Sequence, residues 1–321
     1  MKNKVFNLKN IICFLLLITL IAGLLNLPAA ASSRYSTKSV EKIIGGVISY
    51  KQKQVKVSSV QKLIDTGLSK KAGTNYTDWT MIGLIQYKGK YNYSKYNKAL
   101  DYYVSNTKRI SATDLQRIAL VYSATKGNSS FVTKTIKNSV GKLGIMSYIY
   151  GLILLDSRNY TCKDYTRTSI VKKILSLRLK DGGWALNGTT SDVDVTAMAI
   201  QALAPYYKDK NVKSAVNKAL TMLSKRQLNT GDYKSWGTRC SESGAQVIAA
   251  LSALKIDCQT DKRFIKNNKT LIDGLMQYKL KDGSFAHTIG GKSNDTSSVQ
   301  AMYSLISYWR YKNNKSSFYK Y

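Results

Sequence analysis

Two acidic residues in the second half of the chain, Asp194 and Glu242, have the types and spacing that acid–base chemistry on a sugar would need. Each stands at the start of a segment of small and apolar residues, and the two segments are equivalent parts of successive repeats. Packed helices lie about 8–10 Å apart, so carboxylates at the same end of neighbouring helices could reach the roughly 5–9.5 Å separation that glycosidases use. The chain also has 23 tyrosines, whose rings could stack on sugars. A carbohydrate-active enzyme that uses these two acids is therefore one function that the sequence allows.

The same two carboxylates also have a structural interpretation as helix N-caps. A polar side chain just before a helix accepts hydrogen bonds from the free backbone N–H groups of the first turn. Asp194, Glu242 and Thr296 stand near that position in three successive repeats. On sequence alone, the catalytic interpretation and the capping interpretation both stay open.

Metal chemistry has little support in this sequence. The single histidine, His287, excludes a metal site or a catalytic cluster built from several histidines. Of the four cysteines, Cys13 lies in the N-terminal apolar run, and the remaining three, Cys162, Cys240 and Cys258, are odd in number and follow no metal-binding spacing. We therefore expect no metal and no cofactor. A disulfide between one pair of these cysteines and buried free thiols both stay open.

The elements that would position the two acids belong to a repeat. Asp181, Asp232 and Asp282 fall 51 and 50 residues apart, and a fixed period of this size indicates stacked supersecondary units. In each unit an amphipathic helix leads into a turn at the aspartate, and a helix that is small and apolar nearly all round follows. An aromatic residue after each turn is expected to pin it to the core. These aromatic residues are Trp184, Trp236 and Phe285.

The helical periodicity predicts an all-α fold. Three further apolar segments, at 78–85, 113–120 and 144–155, come before the clear repeats, and each follows an amphipathic segment. Six such helical hairpins would close into a double ring with the small-faced helices inside, an (α/α)6 toroid that spans residues 55–310. An open solenoid is the alternative, but it would normally carry polar capping repeats at both ends, and the sequence has none.

The repeat resembles a known family. Residues 181–184, Asp-Gly-Gly-Trp, followed by 192–197, Asp-Val-Asp-Val-Thr-Ala, are similar to the repeat of squalene and terpene cyclases and of protein prenyltransferase β-subunits. The pattern most closely resembles secreted bacterial surface proteins that carry this toroid. The resemblance covers roughly residues 55–310 and implies the toroid fold. The resemblance does not indicate which activity the protein has, because the superfamily includes cyclases, zinc prenyltransferases, vitamin B12 carriers and complement thioester domains.

The resemblance also implies where catalytic groups would stand. Class II cyclases protonate an isoprenoid with the middle acid of an Asp-x-Asp-Asp motif; here Asp194 takes that place, and Val195 replaces the last carboxylate. Without the last carboxylate of the motif, the pKa of the middle acid is raised less, and this acid is less readily kept protonated. The zinc of prenyltransferases needs an Asp, a Cys and a His; Cys240 stands in roughly the right loop, but no histidine follows Asp295. A cyclase-like or prenyltransferase-like enzyme that uses Asp194 remains an alternative.

The N-terminus has the order of a secretory signal peptide over residues 1–31. Three lysines precede an apolar run at 11–25, and small residues follow, with cleavage expected after Ala31. The run is about 15 residues long, short of the roughly 20 that span a bilayer, and no second spanning run follows. We expect a secreted chain with an N-terminal segment at 32–54 and a polar tail at 311–321.

The charge of the chain is strongly positive. The net charge is +32, and the loss of the three lysines at positions 2, 4 and 9 would leave +29. Such a protein is drawn to anionic polymers of the cell envelope. The lysines are spread along the chain without a nucleic-acid-binding signature, so we expect no specific nucleic-acid site.

These observations together favour binding over catalysis. The leading expectation is a secreted or cell-surface toroid whose central cavity holds an apolar or amphipathic ligand, or a partner, without the known catalytic sets. The rim of that cavity would be formed by Asp192, Asp194, Glu242 and Asp295.

Overall fold

Helices make up most of the computed structural model, which describes residues 34–321. The expected signal peptide at 1–31 therefore lies outside the described residues. The helices are α1 (Thr37–Gln54), α2 (Val60–Lys62, continued by a π-helical turn at Leu63–Leu68), α3 (Asn75–Gln86), α4 (Ser94–Asn106), α5 (Ala112–Thr125), α6 (Ser129–Ser139), α7 (Gly144–Ser157), α8 (Arg167–Ser176), α9 (Val193–Leu203), α10 (Lys210–Arg226), α11 (Ser241–Ala253), α12 (Leu271–Met276) and α13 (Asp295–Lys312). Between 34 and 321, none of them is long and apolar enough to cross a membrane.

Six of these helices form a closed inner ring. Helix α3 packs on α5, α5 on α7, α7 on α9, α9 on α11 and α11 on α13, and α13 returns to α3. The outer helices pack on this ring, with α6 on α5 and α7, α8 on α7, α10 on α9 and α12 on α11. The contact between α13 and α3 closes the ring and excludes an open solenoid. The predicted all-α (α/α)6 toroid of six helical hairpins is confirmed.

The sequence of each helix explains its layer. In α11, eleven of the thirteen residues are buried, and most of them are alanine, glycine or serine, which let neighbouring inner helices approach closely. The outer helix α10 buries one stripe only, with Val212, Val216, Ala219 and Leu223 at helical spacing. Its lysines point to solvent on the opposite face.

The compact unit runs over Tyr35–Tyr321, which is wider than the bounds of 55–310 expected from the repeat. The segment 32–54 contributes α1, which packs on α13 and buries Val40, Ile44 and Val47. The tail at 311–321 was expected to be polar, yet it folds back on the C-terminal ends of inner helices. The backbone N–H of Tyr321 donates to the carbonyl of Ser157 at 3.0 Å.

The aromatic side chains of this tail explain why it packs against the inner helices. Phe318 is buried, and its ring centroid lies 5.6 Å from that of Tyr303 on α13. The ring of Tyr319 lies 6.1 Å from Trp79, which itself packs against Tyr150 and Tyr303 across the ring axis. The tail therefore packs across the axis of the toroid, and at the C-terminal ends of the inner helices its residues line a second cavity of about 870 Å³.

Two short antiparallel hairpins precede the last two inner helices. They are β1 (Tyr233–Ser235) with β2 (Thr238–Cys240), and β3 (Phe285–Ala286) with β4 (Ser293–Asn294). As predicted, Trp184 and Phe285 are fully buried. The prediction for Trp236 is wrong, because this residue lies at the tip of the first hairpin and is 80% exposed. Tyr233, next to the repeated aspartate, is the buried aromatic residue of that repeat.

Replacement of Trp184 tests its role in the core. Its indole is fully buried and its Nε1 donates to the carbonyl of Ile174 at 2.7 Å. We expect Trp184→Ala to lower the free energy of unfolding by roughly 3–5 kcal/mol in urea titrations. Trp236→Ala is the matched control and should change it by less than about 1 kcal/mol, because this side chain is exposed. Equal effects of the two substitutions would contradict the assignment.

Candidate active site

The inner helices begin at one end of the ring, which we call the mouth. A cavity of about 560 Å³ opens there, and first-turn residues of four inner helices line it. These are Asn75, Thr113, Gly144 and Thr296. Aromatic side chains and polar side chains form the rest of its wall. They include Trp79, Tyr150, Tyr303, Asn187, Gln246 and Gln300. The cavity thus offers apolar surfaces together with hydrogen-bonding groups.

The residues that cap the helices at the mouth are not those that the capping interpretation named. Asp192 is the N-cap of α9, and its Oδ1 accepts from the backbone N–H groups of Asp194 at 2.7 Å and Val195 at 3.1 Å. Cys240 occupies the N-cap position of α11. The capping interpretation of Asp194 and Glu242 is therefore wrong, because each stands two residues further on. Their side chains are left to make other contacts.

The carboxyl group of Asp194 is held in a poorly solvated position. Its Oδ1 is buried and has no hydrogen-bond partner among residues 34–321. Burial raises the pKa of Asp194 to about 6. The nearby hydroxyl groups of Ser243 and Ser235 oppose this rise, whereas the negative charges of Asp192 and Glu242 add to it. The carboxyl group is therefore partly protonated in weakly acidic solution.

Glu242 is held by the following repeat. Its Oε1 accepts from the hydroxyl of Ser297, in the first turn of α13, and its Oε2 lies 2.9 Å from Nδ1 of His287. His287 follows strand β3 and is exposed. His287 is not among the residues that the sequence predicts for the site. Its position two residues after the pinning Phe285, in the loop before an inner helix, was the available signal.

The structure separates the four predicted rim residues into two groups. Asp192, Asp194 and Glu242 lie together, as their charge interactions show. Asp295 pairs instead with Lys51 of α1, whose ammonium is buried, and also accepts from Gln54 at 3.2 Å. Although burial opposes it, Lys51 holds the pKa of the Asp295 carboxyl below its usual value.

None of the four predicted rim residues lines the cavity itself, but the acid pair stands one helical turn from residues that do. Met198 and Gln246, which line the cavity, stand four residues after Asp194 and Glu242, about one helical turn deeper. Side-chain amides join neighbouring inner helices at this depth: Gln246 accepts a hydrogen bond from Gln201 at 3.0 Å and donates one to Gln300 at 2.9 Å. This chain of amides fixes the wall directly below the two carboxyl groups.

An internal ion pair stiffens the opposite wall. Arg117 lines the cavity, and its Nε donates to the buried Asp78 at 2.9 Å while its Nη2 donates to the carbonyl of Gly73 at 2.7 Å. Asp114 accepts a further bond from Nη1. The guanidinium is thereby fixed in one orientation.

Cys162, Cys240 and Cys258 are free thiols. Within residues 34–321, histidine, cysteine and acidic side chains form no group of three that could hold a metal ion. Cys240 and Cys258 are buried, and burial raises the pKa of both thiols.

No known family's sequence profile and no curated protein sequence matches this chain. Solved structures do. The unsaturated glucuronyl hydrolase of Bacillus sp. GL1, responsible for the degradation of glycosaminoglycan, aligns with a TM-score of 0.60 and 12% identity over 88% of this chain and 99% of that chain. A possible GH105-family member from Salmonella enterica aligns with a TM-score of 0.55 and 10% identity, covering 91% of this chain and 97% of that one.

A third similar structure is the ent-copalyl diphosphate synthase of Streptomyces platensis, with a TM-score of 0.51 and 13% identity. The alignment covers 73% of this chain and 50% of the synthase. These likenesses support the toroid fold that the family resemblance implied. They also correct the leading functional expectation, because the structures that align over nearly their whole length include a glucuronyl hydrolase responsible for the degradation of glycosaminoglycan and a possible member of the GH105 family. A ligand-holding toroid without catalysis is therefore the wrong expectation.

The raised pKa of Asp194 predicts how stability depends on pH. A carboxyl group with a higher pKa in the folded chain than its usual value near 4 stabilises the fold at low pH, and this contribution is lost as the pH rises to about 6. The loss amounts to at most about 3 kcal/mol. Asp194→Asn should remove this pH dependence in urea titrations between about pH 4 and 6.

Asp192→Asn is the control for that experiment. Asparagine caps helices as well as aspartate does, so the fold should be kept and most of the slope should remain. An unchanged slope in Asp194→Asn would show that the carboxyl group of Asp194 is solvated in the folded protein.

Proposed function

We propose that this protein is a glycan-cleaving hydrolase that works at the mouth of the ring, with Asp194 as the proton donor and Glu242 as the partner carboxylate. The observation that carries this proposal is the pair itself. One carboxyl group is kept partly protonated by burial, and a second, beside it, accepts hydrogen bonds from the next repeat. Two carboxyl groups in unlike environments are what glycoside hydrolysis requires.

The reaction divides between the two residues. The protonated Asp194 gives its proton to the glycosidic oxygen as the bond to the anomeric carbon breaks. Glu242, oriented by Ser297 and His287, accepts a proton from the attacking water, whose oxygen forms the new bond at that carbon. Each turnover consumes one water and releases two shorter saccharides, and proton exchange with solvent restores the pair.

The charge of the protein supports an anionic glycan as the substrate class. A net charge of +32 attracts polyanions and raises their concentration near the surface. The similar hydrolase of Bacillus sp. GL1 acts in the degradation of glycosaminoglycan, a uronate-containing polymer. We propose a substrate of the same kind, and an extracellular site of action in keeping with the signal-like residues 1–31.

An isoprenoid substrate is less well supported. A protonated Asp194 could also protonate an alkene, as the resemblance to cyclases implied. However, this chain corresponds to only 50% of the similar synthase. The cavity wall also carries amide and hydroxyl groups, such as Asn187, Gln300 and Thr113, which suit a sugar better than a hydrocarbon.

Turnover of defined saccharides tests the proposal. The purified protein is incubated with unsaturated glucuronyl disaccharides from glycosaminoglycans and with intact anionic polysaccharides, and reducing ends are measured. We expect Asp194→Asn to lower kcat about 10²–10⁴-fold, because the proton donor is lost. In the parent protein, the rate should fall above about pH 6 as Asp194 ionises.

Asp192→Asn is again the control. It should retain activity, and because it removes a charge that raises the pKa of Asp194, the fall in rate should move to lower pH. Turnover of an isoprenoid diphosphate together with inert saccharides would contradict the proposal, and so would full saccharide activity in Asp194→Asn.

A further inference from the structure

The tip of the β1–β2 hairpin carries a residue that its turn does not favour. Ser235 pairs with Thr238, so the loop consists of Trp236 and Gly237 alone. Both have positive φ angles, 50° for Trp236 and 81° for Gly237. Two-residue hairpin loops of this kind favour Asn-Gly, and a bulky aromatic residue with positive φ is an outlier. The choice of tryptophan therefore needs a reason other than the turn.

Packing does not supply that reason. Trp236 is 80% exposed, whereas Trp184 and Trp309 are buried and Trp79 is half-buried in the cavity wall. An exposed indole on a surface is the kind of group that binds another ring.

The hairpin that carries this indole packs on the two helices that bear the acid pair. Ser235, its neighbour in the chain, is close enough to Asp194 for its hydroxyl group to oppose the rise in the pKa of that carboxyl group. At its other end the hairpin runs through Cys240 into the first turn of α11, which carries Glu242. Strand β1 packs on both α9 and α11. Trp236 thus extends from an element that contacts both helices bearing the two carboxyl groups.

The surroundings of the indole favour a sugar as its occupant. Along the chain, Trp236 is flanked by polar residues and glycine, Lys234 and Ser235 on one side and Gly237 and Thr238 on the other. The other exposed large hydrophobic residues at this end of the inner helices lie on separate loops; they are Leu143, Leu186 and Ile289. An apolar protein partner would require a contiguous apolar patch. A pyranose ring presents C–H bonds on its face and hydroxyl groups at its edge, which matches an aromatic face with polar neighbours.

We propose that Trp236 is the platform on which a pyranose ring of the glycan stacks, and that this stacking places the adjoining glycosidic bond over Asp194 and Glu242. This inference rests on the proposed function and adds a positioning residue to it. Trp236 takes no part in proton transfer.

Binding without turnover isolates the role of Trp236. In an Asp194→Asn background, an unsaturated glucuronyl disaccharide from chondroitin and neutral cellotetraose are titrated calorimetrically. Trp236→Asn creates the favoured Asn-Gly loop, so the midpoint of thermal unfolding should stay or rise while the Kd for the saccharide rises about tenfold. Trp236→Tyr should restore most of the affinity. Tyr102→Ala, on outer helix α4 and 72% exposed, is the matched control and should leave the Kd unchanged.

Kinetics in the protein that retains Asp194 separate this inference from the proposed function. Trp236→Asn should raise KM with little change in kcat. Equal affinity in the parent and Trp236→Asn, or no binding of either saccharide to the parent, would overturn the inference. Binding that depends on Trp236 in a protein that cleaves no saccharide would uphold the platform and refute the hydrolase.

Discussion

The packing of α13 against α3 is the contact on which the site depends. It joins the end of the repeat to its beginning, and only a closed ring brings the first turns of six inner helices to one mouth. The small residues of the inner helices make this closure possible, since they let neighbouring backbones approach closely. Helix α1, which lies before the repeat, covers the outer face of α13 at the seam. An open arrangement of the same hairpins would spread the cavity wall apart.

Opposed forces act on the acidic residues at the mouth. A helix N-terminus carries partial positive charge and favours an ionised carboxylate. Asp192 uses this field directly, as the cap of α9. Asp194, two residues further on, experiences the same field but is buried beside other acids, and burial prevails in its raised pKa. Glu242 differs again, because Ser297 and His287 from the next repeat hold it. The ring thus gives three neighbouring acids three different environments.

The architecture could be predicted from the sequence, because the repeat is visible in the helical periodicity and in the Asp-Gly turns. The sequence also singled out Asp194 and Glu242, yet it could not assign the caps, since Asp192 and Asp194 differ by only two positions. Trp236 was misplaced because the insertion of a hairpin moved the pinning role to Tyr233. The contact between His287 and Glu242 spans 45 residues, and no local pattern encodes it.

The C-terminal tail packs across the axis of the toroid, against aromatic residues that line the cavity at the mouth. The rings of Phe318 and Tyr319 pack against Trp79 and Tyr303, and Trp79 also packs against Tyr150. Backbone groups of Phe318 and Tyr321 hydrogen-bond to the C-terminal ends of α3 and α7. A ring open at both ends could let a polymer thread through it. If the protein cleaves glycans as proposed, this tail would keep a long chain from threading through the ring, so that only a terminus or a side branch could reach the acids and the released saccharide would leave through the mouth.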